Sequence, residues 1–193
     1  NFESIHDYIH NNNHILNQNN LNNNGWNFQN LENKEILEKI NKNSVTLKEY
    51  TKNEVYRGIL TGLTEAFIID ENTKSNLIKE DSKSAEIINP FLTGKEVRKY
   101  GINFQERYII LTKIGVDIKS YPAVLNWLSK FKKDLEKRWD KGNYWYELRA
   151  CDYYNLFEKP KIVYGIITTN PRFTLDLDGY YANNANFFIP TVD

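Results

Sequence analysis

The 193-residue sequence has no methionine and one cysteine, Cys151. A single thiol excludes an internal disulfide framework and a cysteine zinc cluster, and it fits a reducing compartment, so a cytoplasmic location is expected. The missing methionine leads us to expect a segment of a longer chain, because translation begins with that residue. No run of about 18 apolar residues occurs, so no membrane-spanning helix is expected, and no charged-then-apolar leader points to secretion. Histidine is confined to His6, His10 and His14, which leaves the remainder without an imidazole for general-base work. Their spacing would place all three on one helix face, the geometry of a metal site. The asparagines between the last two are poor helix sequence, and no cysteine accompanies them, so a solvated arm is expected and a metal is not.

Rings are abundant by contrast: 13 Tyr, 10 Phe and 4 Trp. Buried, they form a large aromatic core, while Tyr and Trp tips need partners there and suit binding surfaces elsewhere. The length allows one domain with a sizeable core. The formal net charge is zero, yet the charges are unevenly placed. Residues 1–90 hold 9 Lys or Arg against 13 Asp or Glu, whereas residues 91–173 hold 16 against 9. A neutral chain with this asymmetry can carry a basic face of the kind that attracts a polyanion. The bland alternative is a solvated lysine-rich surface.

Residues 1–24 are mostly polar and rich in asparagine, with one short helix expected at "FESIHDYI". "NLENKEILEKI" predicts a second helix, with Ile36, Leu37 and Ile40 at helical spacing. "VYRGILTG" and "AFIID" read as extended segments punctuated by Gly58 and Gly62. "KSAEIINPFLTGKEVRKYGI" reads as two helical turns broken by Pro90 and Gly94, and "RYIILT" as a buried strand. The clearest helix begins with Ser120 as cap and Pro122 in its first turn, and runs through Val124, Leu128, Phe131 and Leu135. Its outer side is basic, with Lys130, Lys132, Lys133 and Lys137. "KIVYGIIT", "RFTLD", "GYY" and "NFFIPTV" read as strands, with Asp178-Gly179 as a hairpin-type turn. Helices and strands come in blocks rather than in alternation, which favours an α+β fold.

Three segments invite a catalytic reading. "GILTG" has neither the spacing nor the lysine of a phosphate-binding loop. "TTNPRF" differs at Arg172 from the Asn-Pro-Pro-Phe tetrapeptide of amino-methyltransferases, and no glycine-rich cofactor turn precedes it. A strand-ending turn that presents Arg172 is expected instead. "LENK" supplies a Glu-x-Lys without the companion carboxylate that a nuclease requires. The residues alone therefore point to a binding module.

In order, "GILTGLTEAFIID", "EIINPFLTGKEVRKY", "YPAVLNWLSKFKKDLEKR", "WYELRACDYYNLFEKPKIVY" and "GYYANNANFFI" resemble the TaqI-like C-terminal specificity domain of adenine-specific DNA methyltransferases and type IIG restriction enzymes. The resemblance runs from about Gly25-Trp26 to the end and implies a loose lead-in over 1–24 and a target recognition domain over 25–193. It implies an α+β fold of curled mixed β-structure with flanking helices. It implies double-stranded DNA as partner, in a prokaryotic cytoplasm, with an upstream methyltransferase domain of the same chain. That absent domain would hold S-adenosylmethionine and its Asn-Pro-Pro-Tyr motif, flip the adenine and methylate N6, and in fused relatives accompany a nuclease. No cofactor, metal, membrane contact or catalysis is expected of this chain alone.

On that reading the expected DNA contacts are Arg57, Thr61, Gly62 and Thr64 around the glycine turn, and Lys95, Arg98, Lys99 and Tyr100 in "TGKEVRKY". Tyr146 and Arg149 in the extended "WYELR" and the turn-borne Arg172 complete the set. Arg149 could instead pair with Glu147 or Asp152. The rival class is a protein-protein interaction module of a restriction-modification or phage-defence complex, with the aromatic surface as its docking face.

Overall fold

The computed structural model of the protein describes residues 4–13, 15, 17–20, 31–52 and 54–191. The chain divides into two compact units, Asn1–Tyr50 and Thr51–Asp193. The boundary expected between residues 24 and 25 lies outside the described residues.

The first unit holds α1 (Ile5–Asn12), a 3-10 turn at Gln18–Asn20, α2 (Leu31–Lys42) and α3 (Leu47–Tyr50). Helix α1 starts where Ser4 accepts the Asp7 N–H at 3.2 Å, a side-chain cap on an otherwise orphaned amide. His6 and His10 lie on it, and His14 is outside the described residues. Neither α1 nor α3 buries a residue.

The second unit contains, in chain order, β1 (Tyr56–Arg57), α4 (Thr64–Phe67), β2 (Ile68–Asp70), α5 (Glu71–Glu80), β3 (Ile88–Leu92), β4 (Val97–Arg98), β5 (Gly101–Ile102) and β6 (Arg107–Ile110). Then follow α6 (Pro122–Ser129), α7 (Lys132–Lys137), β7 (Lys161–Gly165), β8 (Phe173–Asp176), β9 (Tyr181–Ala182) and β10 (Asn186–Pro190). The strands form two four-stranded sheets, β1-β10-β7-β8 and β2-β6-β3-β9, with β4-β5 as a separate hairpin. All pairs are antiparallel except β3 with β9. The fold is α+β with mixed sheets and flanking helices.

Aromatic packing joins the sheets. Phe157 sits 4.4 Å from Phe188 of β10 and 5.0 Å from Tyr181 of β9, ring centroid to ring centroid. All three are fully buried, which stabilises this junction by about 1.5–3 kcal/mol per side chain. Helix α6 docks by Val124 and Leu128, and Trp127 anchors it through an indole N–H donated to the Ala66 carbonyl at 2.9 Å.

Three local expectations are corrected. Residues 88–102 are not helical: after a 3-10 segment at Ser82–Ile87 the chain enters β3 and then the β4-β5 hairpin. Pro90 is accommodated because β9 pairs only from Phe91 onward, leaving the proline at an open edge position, and the burial of Ile88, Phe91 and Leu92 favours the sheet. The helix expected over 120–135 is two, α6 and α7, separated at Lys130-Phe131 by N–H bonds to the third residue back, Trp127 and Leu128. Ser120 does not cap it; its hydroxyl donates to Asp117 at 2.8 Å, and Tyr121 occupies the cap position. Asp178-Gly179 is not a hairpin turn, since β8 and β9 belong to different sheets. The Asp176 carboxylate instead gathers the N–H groups of Asp178, Gly179 and Tyr180 at 2.9–3.1 Å and carries the chain across.

Candidate functional site

Gly58 approaches protein. A Cβ there would stand 1.9 Å from the Asn183 carbonyl oxygen, so only glycine permits the pairing in which Gly58 N–H donates to Asn186 O, Ile59 N–H to Ala182 O, and Asn184 N–H to Ile59 O. This knot holds the 183–185 loop beside β1, where Arg57 Nε donates to the Asn184 carbonyl at 3.2 Å. Gly62 has φ +71° and lies against Arg138 and Asp140. Arg138 is buried and donates to the carbonyls of Thr61, Trp145 and Glu147 at 2.8–2.9 Å. Burial lowers its pKa, and the nearby Asp140 opposes that shift.

In front of this loop lies a concavity of about 780 Å³. Its lining includes Arg57 of β1, Lys95 after β3, Arg98 of β4, Arg107 of β6 and Arg172 before β8, with no acidic residue among them. Five cations from four separate segments thus share one hollow, a positive field focused in a concave surface. A neighbouring hollow of about 330 Å³ shares Thr93, Arg107, Asn183 and Asn184 and adds Thr61, Gly62 and Thr64. A third, of about 300 Å³, shares Arg57 and Asn184 and adds Arg149 and Tyr153.

The expected contacts distribute unevenly over this surface. Arg57, Lys95, Arg98 and Arg172 converge in the main hollow, and Arg172 is delivered by the turn after β7. Thr64 is exposed at the second hollow, whereas Thr61 is buried with its carbonyl taken by Arg138. Lys99 and Tyr100 stand outside it: Tyr100 is exposed at the hairpin tip with φ +62°, its N–H donated to the Phe173 carbonyl at 2.9 Å, and the Lys99 ammonium lies 5.1 Å from its ring. Tyr146 is in a turn rather than an extended stretch, stacked on Tyr144 at 5.4 Å. Arg149 is 3.9 Å from Asp140, so its partner is neither Glu147 nor Asp152. The basic side of α6 and α7 is solvated, with Lys132 and Lys137 paired to Glu136 and Asp134.

Arg107 is the cation that sequence reasoning missed, because "RYIILT" reads as buried strand and hides its first residue's exposed side chain. Glu96 is only 1% exposed; its carboxylate accepts the Thr93 N–H at 2.5 Å and the Gln105 N–H at 3.1 Å, and lies 3.3 Å from Arg107. Among the described residues, no group of three or more His, Cys, Asp or Glu could hold a metal, and no helix is long and apolar enough to cross a membrane.

The profile of the TaqI-like C-terminal specificity domain matches residues 89–193, more than half of the chain. The chain belongs to this family. Among solved structures, this specificity domain is similar to the type IIL restriction-modification enzyme MmeI in complex with DNA, with a TM-score of 0.56 and 15% identity. That similarity covers 72% of this chain and 19% of MmeI, so the chain spans about a fifth of that enzyme's length. At such identity the likeness speaks for the fold. No curated protein sequence matches the specificity domain.

Proposed function

We propose that the chain binds duplex DNA and recognises a target sequence as the specificity domain of a restriction-modification enzyme. The observation that carries this reading is the hollow lined by Arg57, Lys95, Arg98, Arg107 and Arg172 and by no acidic residue, of which Arg107 is ion-paired to the buried Glu96 behind it. Phosphate contacts from such side chains give affinity and register, and side chains reaching base edges give choice. The family membership and the MmeI-DNA neighbour support the same reading. In the complete protein we further propose an upstream domain that holds S-adenosylmethionine and methylates adenine at N6. Extruding a base costs a few kcal/mol, so the duplex must be held firmly while that occurs, and this surface supplies the hold.

The test is duplex binding by the chain as a function of salt, alongside a methylation assay on the complete protein. Log affinity is expected to fall linearly with log salt, by about 0.9 per phosphate engaged. Absence of salt-dependent binding at low ionic strength, together with absence of methylation by the complete protein, overturns the proposal. One feature favours an additional protein-docking role: the Trp139 side chain is 99% exposed and stands outside the basic hollows.

A further inference from the structure

We infer that Arg107 is the base-reading residue of this surface, paired with a guanine through the O6 and N7 acceptors of the major-groove edge; this rests on the duplex-binding reading above. Arg107 opens β6 as the register partner of Asp70 on β2, and the next residue, Tyr108, is paired on both sides, with Ile69 of β2 and Pro90 of β3. Its side chain is 43% exposed. Among the described residues it is also the one basic residue that lines both the main hollow and the hollow holding Thr61 and Thr64, as Arg57 lines the main hollow and the third.

The buried Glu96 carboxylate decides the role. Glu96 is held by the Thr93 and Gln105 amides, and one of its oxygens lies 3.3 Å from a single terminal nitrogen of Arg107, Nη1, as an ion pair. A guanidinium has five N–H donors in a rigid plane, and because Glu96 meets only Nη1, the Nε–Nη2 edge is left for a two-bond pair. An oriented fork loses little entropy on meeting guanine. The same carboxylate offsets the arginine's charge and weakens its pull on a phosphate, so the arrangement favours geometric readout over simple attraction. Among the described residues, Lys95, Arg98 and Arg172 have no ion-pair partner and keep their full charge for the backbone.

The experiment starts from the duplex that the 193-residue chain selects from a randomised pool. Each guanine of that site is replaced in turn by 7-deazaguanine, which lacks the N7 acceptor. The wild-type chain is expected to lose affinity at one guanine by about 5-fold, the lower end of the range for a bidentate pair, because the O6 acceptor remains. Arg107→Ala is expected to lose the preference for guanine at that position and to become indifferent to 7-deazaguanine there, whereas Arg107→Lys, whose ammonium still donates to O6 or N7, is expected to keep part of the preference. Lysine keeps the charge facing Glu96 but not the fork, and equal urea midpoints for Arg107→Lys and wild type establish that the fold is intact. Retention of the full guanine preference by Arg107→Ala overturns the inference. So does binding by the wild-type chain without sequence selection, or a uniform loss across all duplexes in Arg107→Ala with the salt slope reduced by about 1, the mark of a phosphate contact. If the chain binds no duplex at all, the reading beneath the inference fails instead.

Discussion

The Lys161 ammonium lies 2.5 Å from the Asp176 carboxylate, with neither side chain exposed to solvent. The two residues are register partners on β7 and β8, Lys161 also donates to the Phe157 carbonyl, and Asp176 gathers three backbone N–H groups. The pair ties the end of one sheet to the crossing into the other. Removing one partner strands the other charge in the interior, at a cost of about 3–5 kcal/mol. Lys161→Met is therefore expected to lower the urea midpoint strongly, and Asp176→Ala more so, since it also strands the loop amides. Lys161→Met combined with Asp176→Asn, which keeps an acceptor for those amides and removes both charges, is expected to be less destabilised than the sum of Lys161→Met alone and Asp176→Asn alone. Additive losses would contradict this account.

Gly58→Ala is expected to destabilise the chain by about 3 kcal/mol, the upper part of the range for overpacking. Its methyl would meet a backbone carbonyl oxygen at 1.9 Å, and a backbone atom has no rotamer by which to escape. The strain falls on the 183–185 loop, so duplex affinity is expected to drop along with the urea midpoint. Gly101→Ala is the matched control. A Cβ at Gly101 meets nothing within 4 Å, and little change is expected.

Much of the fold was legible because its signals are local. The strands at "RYIILT", "KIVYGIIT" and "NFFIPTV" carry β-branched and aromatic runs, and the apolar period at Val124, Leu128 and Leu135 survives the break between α6 and α7. What failed was decided by distant partners. Residues 88–92 look like a broken helix until β6 and β9 flank them. Gly58 looks like a ligand-facing turn until Asn183 arrives from the far end of the chain. Lys95, Arg98 and Arg172 lie in the stretch with the basic excess, whereas Arg57 comes from the part with an acidic excess and joins them only through the pairing of β1 with β10. Arg107 was not anticipated, because its role depends on Glu96, and nothing in "TGKEVRKY" distinguishes a buried glutamate from a solvated one.

Lys95→Ala, Arg98→Ala and Arg172→Ala are each expected to weaken binding by a similar factor on every duplex and to reduce the salt slope by about 1, the pattern of a lost phosphate contact. Lys133→Ala, on the solvated side of α7, is expected to leave both unchanged. Fluorescence anisotropy on two unrelated duplexes across a salt series measures all four. An equal effect of Lys133→Ala would mean that overall charge, rather than the hollow, governs binding.

The last prediction concerns acid. Glu71, in the first turn of α5, has its pKa lowered to about 2, chiefly by a hydrogen bond from Tyr108 and then by Lys74 and Ser75. Lys74 lies 2.9 Å from its carboxylate and 3.8 Å from the centre of the Tyr108 ring. Because the folded value is depressed below the ordinary 4.5, the unfolded chain binds the proton more tightly, and protonation favours unfolding. The contribution of Glu71 is therefore fully present above about pH 5, and it declines as pH falls toward 2. Asp70, the cap of α5, has its pKa lowered by the Thr73 hydrogen bonds and adds to the same trend. Glu71→Gln is expected to lower the thermal midpoint at pH 7, and the gap from wild type should close as the pH approaches 2. Parallel midpoint curves over that interval would show that the Glu71 cluster does not contribute to acid sensitivity.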